Sequence, residues 1–308
     1  MSTGLLLVQA LNGLQLGVLL FLIAAGLTLV FGVMDVVNLA HGVQYMLGAY
    51  LAVAFAAWTG SFWAAVPLAA VACFAIGAVL ERLVFRRLLG ASHLDQVLAT
   101  FGLILIAEEG VKWLWGAAPL TLAAPVLLSG AIPLAHGLRY TTYRLAVLAV
   151  GLAVAGLLAL LIERTRTGMR LRAGASNAAM LDALGVDVGR LFALVLALGA
   201  MLAGFAGAVA APIVSVDSGM GASVLILAFV VVVLGGTGSV RGSFVAALLV
   251  GLTDTLGRSL LDAALGAALP PSAAGMVGPA LASMLIYLLM AGVLAFRPGG
   301  LLPARGRA

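Results

Sequence analysis

The chain has very little charge for its length. Only 9% of its 308 residues are Asp, Glu, Lys or Arg, whereas 64% are hydrophobic and the mean hydropathy is +1.23. A protein that folds in water usually has about a quarter of its residues charged. Because so few polar residues cannot cover a water-soluble globule, lipid has to be the solvent for much of the surface. The composition therefore predicts an all-α, polytopic membrane protein, with residues 1–308 forming a single transmembrane domain.

The residues that disulfides and metal sites require are also scarce. Cys73 is the single cysteine, so no disulfide can form within the chain. The histidines His41, His93 and His136 are isolated and belong to no HExxH pattern, so we expect no metal site and no cofactor. The net charge is +5, but the basic residues form no stripes with interleaved aromatics, which argues against nucleic-acid binding.

The chain also lacks the motifs of membrane-embedded enzymes. No GxSxG nucleophile elbow occurs. Two carboxylates at predicted membrane depth, Asp35 and Asp254, do not match the Tyr-Asp and Gly-x-Gly-Asp pair of intramembrane aspartyl proteases, because Met34 and Thr253 precede them. We therefore expect a protein that is not an enzyme.

Long apolar runs are abundant. A helix needs about 20 apolar residues to cross a hydrocarbon core of ~30 Å. The run 222–236 is short enough to be a half-helix or a re-entrant segment. Eight to ten crossings fit the predicted spans, which are 5–31, 34–58, 62–82, 94–115, 143–163, 188–212, 222–236, 243–262 and 275–296.

The arginines predict the orientation. Cytoplasmic loops of membrane proteins are enriched in Lys and Arg. With nine crossings, the main clusters fall on one side, which predicts a cytoplasmic C-terminus and an N-terminus outside. The clustered residues are Arg82, Arg86, Arg87, Arg164, Arg166, Arg170, Arg172, Arg190, Arg241, Arg297, Arg305 and Arg307.

The longest polar stretch, residues 164–187, is predicted to be cytoplasmic. Within it, Ala178, Leu181 and Leu184 recur at a spacing that gives a short helix one apolar face, and Gly185 follows as a left-handed stop. Such a helix can enter a groove of a soluble partner. It can equally lie on the lipid surface, and the spacing does not choose between the two.

A group of polar residues falls inside the first two predicted spans. Asn38, His41 and Tyr45 share one face of a helix, and Gln44 flanks that face. Polar groups at membrane depth are unfavourable unless they meet partners or water. They therefore line a solute path or form hydrogen bonds between helices. Two further polar residues of the first span, Asn12 and Gln15, are candidates for the same interior.

Glycines interrupt the chain between residues 234 and 243. Gly235, Gly236 and Gly238, followed by Arg241, predict a tight cytoplasmic loop or a broken helix, because glycine-rich segments form weak helices. A P-loop would need Gly-Lys-Ser/Thr at the start of a helix. Lys112 is the one lysine of the chain and lies far away, so the chain has no ATPase site of its own.

Several of these segments, in the same order, resemble the LivH-type branched-chain amino acid ABC transporter permeases. The resemblance rests on residues 12–17, 26–32, 38–42 and 46–50, on Arg166-Thr167-Gly168 through Gly185, on residues 234–239 and on Arg297 through Leu302. It implies a permease of the cell inner membrane that imports branched-chain amino acids or, as in close relatives, urea, amides or aromatic acids.

The resemblance also implies partners and a role for the cytoplasmic stretch. The partners would be a second, LivM-like permease, two cytoplasmic ATPase subunits and an extracytoplasmic solute-binding protein. Residues 169–185, including Arg170, would be the coupling helix that docks on the ATPase. Ser176 and Asn177 stand where the family often has acidic residues, so the docking surface would carry less charge. The alternative is a self-sufficient secondary transporter or channel, for which Asp35 and Asp254 are the main ion-coupling candidates.

Overall fold

The computed structural model describes residues 3–133, 138–268 and 270–303, and these are predominantly helical. A π-helical turn at Glu81–Phe85, a 3₁₀ turn at Val126–Leu128 and a two-stranded antiparallel sheet of β1 (Ala131–Pro133) and β2 (Arg139–Thr141) complete the regular structure. The helices are α1 (Thr3–Met34), α2 (His41–Thr59), α3 (Phe62–Leu80), α4 (Arg86–Leu88), α5 (His93–Trp115), α6 (Thr142–Arg164), α7 (Arg166–Ala183), α8 (Val188–Ala210), α9 (Met220–Gly235), α10 (Val240–Ala268) and α11 (Pro271–Phe296).

Five helical stretches among the described residues are long and apolar enough to cross a membrane, which confirms the all-α polytopic class. They are Gly4–Met34, Phe62–Leu88, Thr142–Arg164, Val188–Ala210 and Val240–Ala267. The predicted short run corresponds to α9, whose 16 residues span about 24 Å. The number of crossings and the orientation stay predictions.

Helix α1 is the centre of the bundle. In its most apolar window 89% of the residues are buried, and it packs against α6, α7, α8, α9 and α10. Glycines make these contacts close. A methyl group on Gly17 would meet the backbone of Ala247 in α10, and one on Gly26 would meet Gly199 in α8. Small residues of this kind let membrane helices pack backbone to backbone.

The two ends of the bundle differ in charge. One end, here called the arginine-rich end, holds α4, α7, the turn between α9 and α10 and residues 297–303. Contacts place these together: Gly32 near the end of α1 touches Gly238, and the amide of Leu301 donates to the carbonyl of Leu234 at 2.8 Å. The other end, here called the opposite end, holds residues 116–133, where Leu120 bridges to Val216.

Candidate solute pathway and coupling surface

The connection between α1 and α2 corrects the predicted second span. That span was expected to begin at residue 34, but residues 35–40 are not helical and α2 begins at His41. Asp35 adopts a left-handed conformation with φ of 52° and turns the chain back along α1. The ring Nε2 of His41 then lies 3.0 Å from the carbonyl oxygen of Ile23, about 16 Å along α1 from its end. Helix α2 therefore starts about a third of the length of α1 away from its C-terminal end.

Three polar side chains are enclosed at this break. Asn38 and His41 are fully buried and Gln44 is 1% exposed. The amide groups of Asn38 and Gln44 and the Nδ1 atom of His41 have no hydrogen-bond partner within 3.5 Å among the described residues, although the Gln44 side chain interacts more weakly with the His41 ring. An unsatisfied buried donor or acceptor costs about 1–3 kcal/mol. Such a concentration of unsatisfied groups in one place is unusual for a purely structural contact.

Close glycine contacts hold α2 against its neighbours around this cluster. Gly42 packs on Gly221 at the beginning of α9, and Gly48 packs on Gly204 in α8, so that a methyl group at either α2 position would overlap backbone. Tyr45, the fourth residue of the predicted polar face, is 4% exposed. The first turns of α2 thus pack closely against the start of α9 and against α8.

The predicted polar residues of α1 form a separate group. Arg144 in α6 donates from Nη1 to Asn12 Oδ1 at 2.9 Å and to Gln15 Oε1 at 3.4 Å. These residues lie nearer the opposite end than His41 does, so the six pathway candidates do not share one face. Sequence reasoning missed Arg144, although a basic residue at the start of an otherwise apolar span was the available signal.

Helix α7 contains the predicted coupling segment and is kinked. Asn177 has an extended conformation, with φ of −158° and ψ of 97°, and its side chain accepts from the amide of Met180 at 2.8 Å. All three residues of the expected apolar face follow this kink, but the expectation is wrong for Leu184, because the helix ends at Ala183 and Leu184 lies beyond it as the C-cap. Leu181 is buried in the core and Ala178 half-buried, whereas Leu184 is 73% exposed.

The end of α7 matches the prediction. Gly185 has φ of 83°, its amide donates to Asp182 O at 2.8 Å, and the amide of Val186 donates to Leu181 O. This pair of hydrogen bonds is the Schellman motif, which requires a left-handed residue and favours glycine. At the arginine-rich end, the side chains of Arg170 in α7 and of Leu184, directly after α7, are exposed.

The glycine-rich segment forms a short turn between α9 and α10, which agrees with the predicted tight loop. Gly235 is the last residue of α9, and Gly236 and Gly238 have φ of 101° and 79°. Ser239 then caps α10 by accepting from the amide of Gly242 at 3.1 Å. Arg241 was predicted to lie in the loop, but it lies in the first turn of α10. There it pairs with Glu163 of α6 at 2.6 Å.

The two candidate ion-coupling carboxylates lie far apart. Asp35 is exposed beside the end of α1, at the arginine-rich end. Asp254 pairs with Arg258 at 2.6 Å near the other end of α1, where both line a groove with Gln9. Helix α1 is 32 residues long, or about 48 Å, so the two aspartates cannot form a dyad. Among the described residues, no group of three His, Cys, Asp or Glu side chains could hold a metal ion.

Comparison with known proteins gives a consistent answer over nearly the whole chain. A family described as "Branched-chain amino acid transport system / permease component" matches residues 9–294. The high-affinity branched-chain amino acid transport system permease protein BraD of Pseudomonas aeruginosa is 30% identical over 312 residues, covering 96% of this chain and 94% of BraD. The corresponding LivH proteins of Escherichia coli and Salmonella typhimurium are 28% and 27% identical, each covering 82% of this chain and 86% of the relative. No solved structure matches.

Proposed function

The chain belongs to the family of branched-chain amino acid transport permease components, and on that basis we propose that it is the membrane permease subunit of an ATP-binding-cassette importer. It translocates a branched-chain amino acid or a related small polar solute. The energy comes from separate ATPase subunits, and an extracytoplasmic binding protein delivers the solute. The observation that carries the proposal is the end-to-end match to permeases of high-affinity branched-chain amino acid systems.

The same relatives support the proposed partners and location. Their names describe each of them as the permease protein of a transport system. The importer would contain this chain, a second LivM-like permease, two cytoplasmic ATPases and the binding protein, in the cell inner membrane. The proposed N-terminus is outside and the proposed C-terminus is cytoplasmic, because the arginine-rich end then faces the cytoplasm.

The solute path is proposed to pass the break between α1 and α2. Asn38, His41 and Gln44 have buried polar atoms without a close hydrogen-bond partner in the described part of the chain, and Tyr45 belongs to the same helix as His41 and Gln44. A tightly packed arrangement that leaves these atoms unsatisfied is the closed state. A second state that exposes these atoms to water or solute would restore their hydrogen bonds. ATP or the binding protein can favour that state only by binding to it more tightly than to the closed state. Irregular backbone at membrane depth is tolerated where it lines a path of this kind.

Nearer the proposed outer face, Asn12 and Gln15 would line the path with Arg144. Their hydrogen bonds hold the guanidinium against α1 at 2.9 and 3.4 Å. A cation placed there, within a polar pair of amides, offers a partner to a solute carboxylate.

Coupling to the ATPase is proposed to run through α7. Arg170 and Leu184 would contact the ATPase, and Gly185 would fix the end of the helix. Ala178 and Leu181 would transmit movement inward, because Leu181 belongs to the buried core and a methyl group on Gly174 of the same helix would lie 3.5 Å from Val33 of α1. The turn formed by Gly235, Gly236 and Gly238, with Arg241, lies at the same end and would follow that movement.

Reconstitution tests the proposal. The four kinds of subunit are placed in proteoliposomes and uptake of L-leucine is measured with ATP and the binding protein supplied on the appropriate sides. We expect uptake to require ATP, the ATPases and the binding protein. If this chain alone concentrates leucine when only an ion gradient is imposed, it is a secondary transporter and the proposal is wrong.

A further inference from the structure

A polar groove lies at the opposite end of the bundle, between the beginning of α1 and the last turns of α10. Its volume is about 440 Å³, within the range of small-molecule sites, about 300–1,000 Å³. The polar residues that line it are Gln9, Asp254, Thr255, Arg258, Ser259 and Asp262. Neither the coupling segment nor the break at His41 includes any of these residues.

The charged residues of the groove form one face of α10. Asp254, Arg258 and Asp262 recur every four residues, which stacks them along the helix. Arg258 donates from Nε and Nη2 to the same oxygen, Oδ1 of Asp254, at 2.9 and 2.6 Å. The side chain of Asp254 is 13% exposed and that of Arg258 is 49% exposed. The groove therefore has a cation between two carboxylates and a net charge of about −1.

Charges in this part of a membrane-crossing helix are unfavourable against lipid. Ionisable side chains within such helices face a water-filled cavity or another protein surface. Gly257 of α10 lies against Leu285 of α11, and Oδ1 of Asp262 lies beside Gly278 of the same helix, so the groove borders the contact between α10 and α11. The groove is thus a wet surface with both signs of charge, accessible from the end that lies opposite the ATPase-facing end in the proposed orientation.

From this geometry we infer that the groove is an entry site for the zwitterion of an amino acid, which rests on the function proposed above. The α-ammonium group binds the carboxylate of Asp262, and the α-carboxylate binds the guanidinium of Arg258, which stays paired with Asp254. A ligand without the ammonium group leaves Asp262 unpaired, and a ligand without the carboxylate loses the charge-assisted hydrogen bond to Arg258, and this gives the site its selectivity.

A line of hydrogen bonds connects the groove with the candidate path. Gln9 lines the groove and accepts through Oε1 from Asn12 Nδ2 at 3.3 Å. Asn12 in turn accepts from Arg144, which also reaches Gln15. Since Gln9, Asn12 and Gln15 stand at successive three-residue intervals on α1, they give a polar solute a sequence of contacts from the groove towards the interior.

Thiol labelling tests the entry site directly. Cys73 is the single cysteine and is buried, so Ser259→Cys introduces one accessible thiol in the groove. The assembled importer, with its ATPases and second permease but without binding protein, is placed in nanodiscs and treated with a membrane-impermeant thiol reagent. The labelling rate is measured with L-leucine, with leucinamide, which lacks the carboxylate, and with isocaproate, which lacks the ammonium group. Ser129→Cys, on an exposed residue of the same end, is the matched control.

We expect L-leucine to slow labelling at Ser259→Cys and to leave Ser129→Cys unaffected. Each single-charge analogue should protect at least about tenfold less well, because it lacks one charge-assisted hydrogen bond to the groove. Adding Arg258→Gln or Asp262→Asn to Ser259→Cys should reduce leucine protection to the level of the corresponding analogue.

Three results would overturn the inference: no labelling at Ser259→Cys, labelling that leucine does not slow, or equal protection by all three compounds. ATP-driven leucine uptake is measured on the same preparations after the binding protein is added. Normal uptake with any of these three results rejects the groove alone. Failure of the unsubstituted importer to take up leucine rejects the proposed function instead.

Discussion

Replacing Gln44 by methionine separates a transport role of the buried polar cluster from a packing role. The side chain is 1% exposed, and neither Nε2 nor Oε1 has a hydrogen-bond partner among the described residues. Methionine has a similar shape and no strongly polar atom, so the substitution removes two unsatisfied groups without opening a large cavity. At about 1–3 kcal/mol for each group, Gln44→Met should stabilise the closed state by about 2–6 kcal/mol.

The same stabilisation should slow transport. If the open state hydrates the Gln44 amide, the variant gains stability only in the closed state. A shift of about 2 kcal/mol then reduces the population of the open state by roughly 30-fold. We expect a higher thermal unfolding midpoint of the purified permease pair, together with a large loss of ATP-driven leucine uptake in proteoliposomes.

A control on the same helix makes the result specific. Leu47 is half-buried and packs against the core, so Leu47→Met changes shape by a similar amount and removes no polar group. It should change both measurements little. If Gln44→Met instead lowers the unfolding midpoint and leaves uptake normal, the amide is a structural hydrogen-bonding group and the reasoning about the closed state is wrong.

Three further substitutions test other parts of the structure. Gly48→Ala should lower the unfolding midpoint, because overpacking the contact between α2 and α8 costs about 1–3 kcal/mol or more. Gly102→Ala should leave the midpoint unchanged, because a methyl group there meets no described atom within 4 Å. Gly185→Pro should abolish uptake with normal membrane insertion, because proline cannot adopt a φ of 83°, whereas Gly185→Asn should retain partial activity; normal uptake by the proline variant would contradict the coupling role. Leu184→Glu, on a 73% exposed residue, should leave the unfolding midpoint unchanged but weaken co-purification of the ATPase, and full co-purification would place docking elsewhere.

The predicted spans located most helices because an apolar run of suitable length has few alternatives in a membrane. The glycine-rich turn and the stop at Gly185 were also predictable, since both depend on local backbone conformation. The prediction failed at the start of α2. Asp35 adopts a positive φ that its residue type does not require, and the return of the chain along α1 is stabilised by the distant contact between His41 and Ile23.

The same limit applies to side chains whose partners are remote in sequence. A spacing of three residues assigned Ala178, Leu181 and Leu184 to one face, but the helix ends at Ala183, so Leu184 is exposed beyond it, whereas contact with the core buries Leu181. Arg241 was predicted in a loop, yet Ser239 starts α10 before it and Glu163 provides its partner. Arg144 received no role until the fold brought α6 beside Asn12.

Composition and periodicity alone determined that this chain is a helical membrane protein without the motifs of membrane-embedded enzymes. The free energy of transferring a residue from water to lipid, and its backbone preference, depend on the residue itself and not on distant contacts. Tertiary structure decided which polar groups are enclosed without partners, where α2 begins and which charges share the groove of α10. Those properties depend on contacts between segments that are far apart in the chain, and no local pattern encodes the distance between them.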